Sequence, residues 1–378
     1  MKSFKLNNVS RFLLAGFLMI LATATTFAQT RPKTNPNAVL STQHVSQGIQ
    51  RVHLAPFTRN TGTPEFTKNV RSAAWLALDA AKLAPVLQSR PRYLQLDLPN
   101  ENGGTTELLL ESASPTVQGM KVGTPNGFVA YNPGMHYRGV VADRSAGREA
   151  SMVAVSIFDN EVFAVISTEK DGNYCLGRLG DRNTTPGTRY VFYKESNLLA
   201  SNPFHCGTDD VKHKLGKDLP AGTEMVSPNK LVRVYAEVDN SLYAALGSSV
   251  GNAVNYATAH FNITSMIYER EDVITQLSEI FVWTSADPYN TANSGTALND
   301  FVARLNALGG FNGNLAHLFS NDGTGGGIAF IDVLCFGNIG QRSAYSGSLG
   351  TALTFFPTYT WVPRVRCRSN ASARKSFS

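Results

Sequence analysis

Two different grammars share this chain, and the break between them limits the folds open to it. From about Ala73 to Lys194 the residues read mostly as β. Tyr93-Leu94-Gln95-Leu96-Asp97-Leu98 alternates apolar and polar, as a half-buried strand does, and parts of Glu107–Leu110, Met152–Phe158 and Val162–Ser167 follow suit. Asp159-Asn160-Glu161 sits between the last two as a hairpin turn. Pro203 to Pro228 is rich in Gly, Pro, Lys and Asp, lacks any period, and reads as an exposed linker of the kind proteases cut.

Beyond the linker, strands alternate with helices. Leu231–Val238 is strand-like. From about Ser248, the residues Val250, Val254, Ala257 and Phe261 mark one face of a helix. Ile274–Trp283 reads as a second strand. A helix starting near Thr296 presents Leu298, Phe301, Val302, Leu305 and Leu308, and Gly309-Gly310 stops it. Leu315–Phe319 and Ile328–Cys335 are further strands. This order predicts helices packed on a mixed sheet. The polar stretch from the N-terminal region to about Gly62 is expected to be extended and poorly ordered.

The net charge of +6 invites a nucleic-acid reading, but its location removes it. Residues 1–28 carry Lys2, Lys5 and Arg11, and Val362–Ser378 carries Arg364, Arg366, Arg368, Arg374 and Lys375, with no acid in either. The remainder is slightly acidic, so no basic footprint for DNA or RNA is expected. The basic start, the apolar stretch Phe12–Leu21 and Thr26-Phe27-Ala28 before Gln29 read as a secretory signal peptide over residues 1–28. No later segment is apolar enough to span a bilayer, so the mature chain is expected to be secreted and free of the membrane. Cys175, Cys206, Cys335 and Cys367 are too widely spaced to look like a disulfide framework.

Few motifs carry chemistry. Gly323-Thr324-Gly325-Gly326-Gly327 lacks the Lys-Ser or Lys-Thr and the helix of a phosphate loop, so its glycines are expected to let the backbone bend or approach a neighbour. A zinc protease needs H-E-x-x-H, which puts two imidazoles and a general base on one helical face. No two of the seven histidines are four apart and none precedes a Glu. His260 and His317 sit in apolar patterns and are expected to be structural. There is no G-x-S-x-G elbow. Cys206, in Pro203-Phe204-His205-Cys206-Gly207, has three readings: a thiolate that fills a zinc ion's open position, a disulfide with Cys175, or a buried thiol.

These features together resemble a secreted reprolysin-like (adamalysin-type) metallopeptidase precursor of the metzincin clan. His136-Tyr137-Arg138-Gly139-Val140-Val141, followed by the strand through Ala154–Phe158, resembles the β-rich propeptide of that family. Pro203-Phe204-His205-Cys206-Gly207 resembles its P-K-M-C-G cysteine switch, with Phe and His replacing Lys and Met. Leu231–Asp239 resembles the first strand of the catalytic domain. Gly326–Cys335 resembles the edge strand that binds peptide by main-chain hydrogen bonds, which casts Gly327, Ile328, Ala329, Phe330 and Ile331 as substrate-binding residues. Phe356–Trp361 is similar to the lead-in to the zinc helix, after which H-E-x-x-H-x-x-G-x-x-H is expected. Val362–Ser378 carries none of it.

The resemblance implies an α+β chain: signal peptide 1–28, β-rich propeptide 29–225 including the linker, the upper part of a metzincin-like α/β sandwich with two long helices over 226–361, and an aberrant basic tail 362–378. It implies zinc as the cofactor of an intact member and a protein or peptide as substrate. No metal ligand or catalytic residue is assigned within these residues, so the expected state is a zinc endopeptidase precursor truncated before its reactive centre and inactive. The alternative is a secreted pseudoprotease or protein-binding module without enzymatic activity. Either way, residues 226–378 alone are expected to be poorly soluble, because strand faces around Ile328–Leu334 would be uncovered.

Overall fold

The computed structural model describes residues 49–61, 67–142, 151–180, 187–199, 205–206, 231–270, 273–322, 326–330, 333–334 and 337–349. The expected signal peptide, most of the linker, Ile331, Cys335 and the basic tail lie outside the described residues. The fold is α+β, as expected.

The first half of the chain builds a ten-stranded sheet that closes on itself. Its order is β1-β4-β5-β8-β9-β10-β11-β12-β3-β2. The two outermost strands, β1 (Val52–Leu54) and β2 (Phe57–Arg59), are consecutive in the chain. β1 pairs parallel with β4 (Tyr93–Pro99), while β2 pairs antiparallel with β3 (Ala74–Leu78). The segment Val52–Arg59 therefore seams the sheet into a barrel. This corrects the expectation of a poorly ordered stretch to Gly62: residues with little β pattern of their own are held by partners on both sides.

The remaining staves are antiparallel neighbours: β5 (Thr105–Ala113), β8 (Met135–Val141), β9 (Ser151–Phe158), β10 (Glu161–Thr168), β11 (Gly172–Arg178) and β12 (Arg189–Lys194). Their period of two sorts the side chains. Leu94, Leu96, Leu108, Val153, Val155, Ile157, Ala164 and Ile166 fill the barrel. Ala154, Phe158, Phe163, Val165 and Val191 point outward into a second core. Gly139 is required where β5 and β8 cross, since a Cβ there would lie 1.9 Å from the Leu109 carbonyl oxygen. One end of the barrel is stoppered by helix α1 (Ala84–Ser89) and the turn before it, through the buried Leu83 and Val86.

The second half is a three-layer sandwich. An eight-stranded mixed sheet runs β13-β17-β18-β16-β14-β15-β6-β7. Its parallel centre is β14 (Leu231–Val238), β15 (Ile274–Val282), β16 (Leu315–Phe319) and β18 (Ser343–Ser346), with β17 (Gly326–Ala329) antiparallel to β18. After the short helix α2 (Asn240–Ala245), α3 (Val250–Glu269) covers one face of the sheet and α4 (Ser294–Ala307) covers the other. Both long helices start on polar N-caps, Ser249 accepting from the Asn252 amide and Asn293 from the Thr296 amide. Gly309, with φ of 67°, ends the second as expected.

Two strands depart from the expected division into propeptide and catalytic part. β6 (Thr116–Thr124) and β7 (Gly127–Val129) belong by sequence to the first half, between β5 and β8, yet they extend the second sheet. β6 runs parallel to β15, matching Ile280 with Val122 and Phe281 with Gly123. Helix α3 is buried on more than the one face its periodicity suggests: Ala253, Val254, Tyr256, Ala257, Ala259, Phe261, Ile263 and Met266 share a core with residues of both sheets. The reason is position, since α3 lies between the outer wall of the barrel and the second sheet.

That junction also holds polar groups that bond across it. Asn262 Nδ2 donates to the carbonyls of Tyr137 and Val155, at 3.3 and 3.1 Å. Arg138 Nε donates to Asn262 Oδ1 at 3.1 Å, and its Nη1 pairs with Glu269. His136 bridges Ser156 Oγ at 2.8 Å and the Pro133 carbonyl at 3.0 Å, and burial depresses its pKa to about 4, so it is neutral near pH 7.

Candidate functional site

The residues singled out for peptide binding lie at one margin of the second sheet, and the local sequence explains why. Gly326 adopts φ of 117°, open only to glycine, and turns the chain into β17. Gly327, Ile328 and Ala329 then pair antiparallel with Ser346, Tyr345 and Ala344 of β18. β18 is anchored from behind: His317 Nε2 meets Ser346 Oγ at 2.6 Å, and the Tyr345 hydroxyl donates to the Asp322 carbonyl at 2.9 Å. The Tyr345 ring lies against Gly347, where a Cβ would sit 2.5 Å from its hydroxyl.

The expected strand Ile328–Cys335 is therefore shifted. Its strand begins at Gly326 and ends at Ala329, because the partner strand starts only at Ser343 and the turn through Gly340–Arg342 precedes it. Phe330 makes one further bond, from its amide to the Ser343 carbonyl, and Ile331 lies outside the described residues. Of the five expected substrate-binding residues, Gly327, Ile328 and Ala329 share the strand and Phe330 follows it.

β17 is not the outermost strand. His205–Cys206 forms β13, which lies parallel to β17 with His205 opposite Gly326 and Cys206 opposite Gly327. Two segments picked out separately in the sequence are thus in backbone register. The main-chain groups on the outer side of Gly326 and Gly327, which an unpaired edge would offer to any extended chain, face the protein's own residues.

Among the described residues, His53, His136, His260 and Cys175 sit apart from this margin, and His317 supports it from behind. His260 is buried in α3 with Nδ1 at 2.8 Å from the Tyr256 carbonyl, and His317 stacks on Phe319 at 4.6 Å, so both occupy packed structural positions. His53 pairs with Asp97 on the barrel surface at 2.7 Å. Cys175 is a free thiol, buried beneath the outer face of the barrel, and burial pushes its pKa up to about 12. Among the described residues no three His, Cys, Asp or Glu side chains gather as a metal site. The described side chains do not fit the zinc that the resemblance implies.

Two acidic groups behind the margin were not singled out in the sequence. Glu237, wholly buried on β14, accepts from Tyr235 Oη at 2.8 Å, Trp283 Nε1 at 2.6 Å and Tyr289 Oη at 2.5 Å. Asp239 caps α2 by accepting from the Leu242 amide at 2.8 Å and the Ser241 hydroxyl at 2.9 Å. Burial, with a smaller push from Asp287, outweighs these bonds and raises the Asp239 pKa to about 6.

Because the folded value lies above the ordinary 3.8, the contribution of Asp239 to stability is full below pH 3.8 and is lost as pH rises through 6. Asp239→Asn keeps a capping oxygen and removes that titration. The variant is expected to match the parent at pH 4 and to exceed it at pH 8 by on the order of 1–3 kcal/mol in urea denaturation. Equal stability at both pH values would contradict this.

No protein-family model matches the chain, and no curated protein matches it. Among solved structures it is similar to metalloproteinase-II from Bacteroides fragilis, with 12% identity, 82% of this chain and 86% of that chain covered, and a TM-score of 0.41.

Proposed function

We propose that these residues form the precursor part of a secreted, reprolysin-like zinc endopeptidase, in which the segment at Cys206 occupies the strand margin meant for a peptide substrate. The observation that carries the reading is the parallel pairing of His205–Cys206 with Gly326–Gly327. Strand addition recognises peptides through main-chain groups and tolerates many side chains. A segment of the same chain laid on that margin competes with any substrate strand for the same donors and acceptors. Hydrolysis itself is not a property of these 378 residues, which contain no H-E-x-x-H.

Deleting Phe204–Gly207 tests the reading. The shortened protein is expected to bind a fluorescent extended peptide about tenfold more tightly than the parent, read by polarisation, and to leave the peptide uncut. Equal affinity would remove the margin from the proposal. Chelator-sensitive cleavage by the purified 378-residue chain would remove the inactivity.

A second reading, a secreted protein-binding module without enzyme activity, is favoured by one observation. β6 and β7 are built into the sheet of the second half, so the first half is not an appendage that a single cut releases. Translating the neighbouring coding sequence in all three forward frames separates the two. H-E-x-x-H-x-x-G-x-x-H just downstream supports the protease, and its absence supports the module.

A further inference from the structure

Among the described residues, α1 and the turn before it stopper one end of the barrel. At the other, the turn after β4, the end of β8 and the β10–β11 turn surround a cleft of about 150 Å³. A void of that size takes one six-membered ring. The mouths of β-barrels are recurrent ligand sites, apolar below with a few convergent polar groups above.

The lining has that character. The floor is Val141, Ile166, Tyr174 and Phe192, and the two aromatic rings lie 5.7 Å apart at 32°, forming a shallow tilted platform. The same period of two that aims Leu176 and Phe192 into the barrel brings Tyr174 and Lys194 to its rim. Lys194 Nζ lies 3.3 Å from Asp171 Oδ1 and 5.8 Å from the Tyr174 ring centre. Across the cleft, Glu101 Oε2 accepts from Asn197 Nδ2 at 3.0 Å, and Asn102 is exposed beside it.

One ammonium thus faces two carboxylates, a balance that disfavours an anionic ligand. Donors and acceptors are both present around the rim, and the ring-sized floor is apolar. We propose that the barrel mouth binds a single neutral or amino-bearing pyranose ring. Its C–H face lies on Tyr174 and Phe192, and its hydroxyls exchange hydrogen bonds with Asp171, Lys194, Glu101 and Asn102. The ring is supplied either as a free sugar or as the terminal residue of a glycan. The assignment is independent of the peptide margin, which lies in the other sheet.

Saturation-transfer NMR on the full chain tests it, with methyl glucoside, methyl galactoside, glucosamine and a matching oligosaccharide as probes and cyclohexanol as the apolar control. A ligand of this size is expected to bind at least one pyranoside with Kd on the order of 1–10 mM. Asp171→Asn and Lys194→Met, both at partly exposed positions, are expected to weaken binding about tenfold without shifting the melting temperature appreciably. Tighter binding of the oligosaccharide assigns a glycan end, and equal binding assigns a free sugar; both support the site. Absence of saturable signal from every pyranoside, equal binding of cyclohexanol, or unchanged binding in both folded variants would each overturn it.

Discussion

A cut placed in the linker between residues 207 and 230 is expected to leave the two halves bound to each other. The nicked protein should elute as one species at the mass of the intact chain, and residues 231–349 made alone should fail to fold cooperatively. The cause is the arrangement around α3. One flank of the helix packs on the second sheet, and Asn262 on another flank hydrogen-bonds to backbone carbonyls of β8 and β9. The barrel's Ala154, Phe158, Phe163 and Val165 complete the same core. Removing the first half also strips β6 from β15, leaving Ile280 and Phe281 without their paired strand. Each large apolar side chain returned to water loses roughly 1.5–3 kcal/mol, so several of them consume the 5–15 kcal/mol by which a typical domain is stable. Separation of the halves on a sizing column, or a monomeric 231–349 fragment with a sharp melting transition, would refute the account. The poor solubility expected for residues 226–378 keeps its direction but gains this second cause, beside the faces around Ile328.

Glu237→Ala is expected to cost about 4 kcal/mol, the largest effect of any single substitution considered. The carboxylate is wholly buried and accepts from two phenols and an indole, while Arg304 Nε stands 3.8 Å away. Arg304 is itself held over the rings of Trp283 and Phe281, at 5.2 and 5.7 Å. Truncation takes this acceptor from the buried Tyr235 phenol and from the half-buried Trp283 indole, Tyr289 phenol and Arg304 guanidinium, and each orphaned buried donor costs about 1–3 kcal/mol. The phenol pKa values of Tyr235 and Tyr289 are raised chiefly by burial and then by the Glu237 charge, so neither phenol ionises to relieve the loss. Glu237→Gln should cost roughly half as much, since its oxygen still accepts while its amide opposes a donor. Urea midpoints measure both, and a loss below about 1 kcal/mol for Glu237→Ala would show that the network repacks.

Local pattern carried much of the fold. Leu231–Val238 is a strand over the whole expected range, and the helix carrying Val254, Ala257 and Phe261 starts at Val250, capped by Ser249. The barrel strand through Tyr93–Leu98 follows its alternation, whereas Met152–Phe158 and Val162–Ser167 are strands buried on both faces, one toward the barrel and one toward the second core. Assignments failed where the partner decided. Val52–Arg59 has two short pieces of strand and no strong period, and only neighbours from β3 and β4 hold it. Thr116–Thr124 lies inside the stretch that reads mostly as β, and nothing local says that it leaves the barrel for another sheet.

The candidate site divides the same way. Cys206 and the Gly327 strand were each visible as motifs, but their register comes from backbone pairing between segments far apart in sequence. Glu237 was invisible because its ligating groups, Trp283 and Tyr289, are 46 and 52 residues away. The barrel mouth was missed because Tyr174, Phe192 and Lys194 read as ordinary strand residues until the sheet closes.

The departure of β6 from the barrel also sets the order of events when the chain is made. Gln276, on β15, donates to the Ser114 carbonyl just before β6, across 162 residues. Until residues 274–282 emerge from the ribosome, the hairpin Thr116–Val129 has no sheet to join. The nascent first half therefore carries an unfinished arm through most of its synthesis. Contacts of such long range form slowly, and an open strand invites pairing with other chains meanwhile. Folding of this protein is accordingly a late, whole-chain event, and its yield depends on keeping that arm from foreign strands until its distant partner arrives.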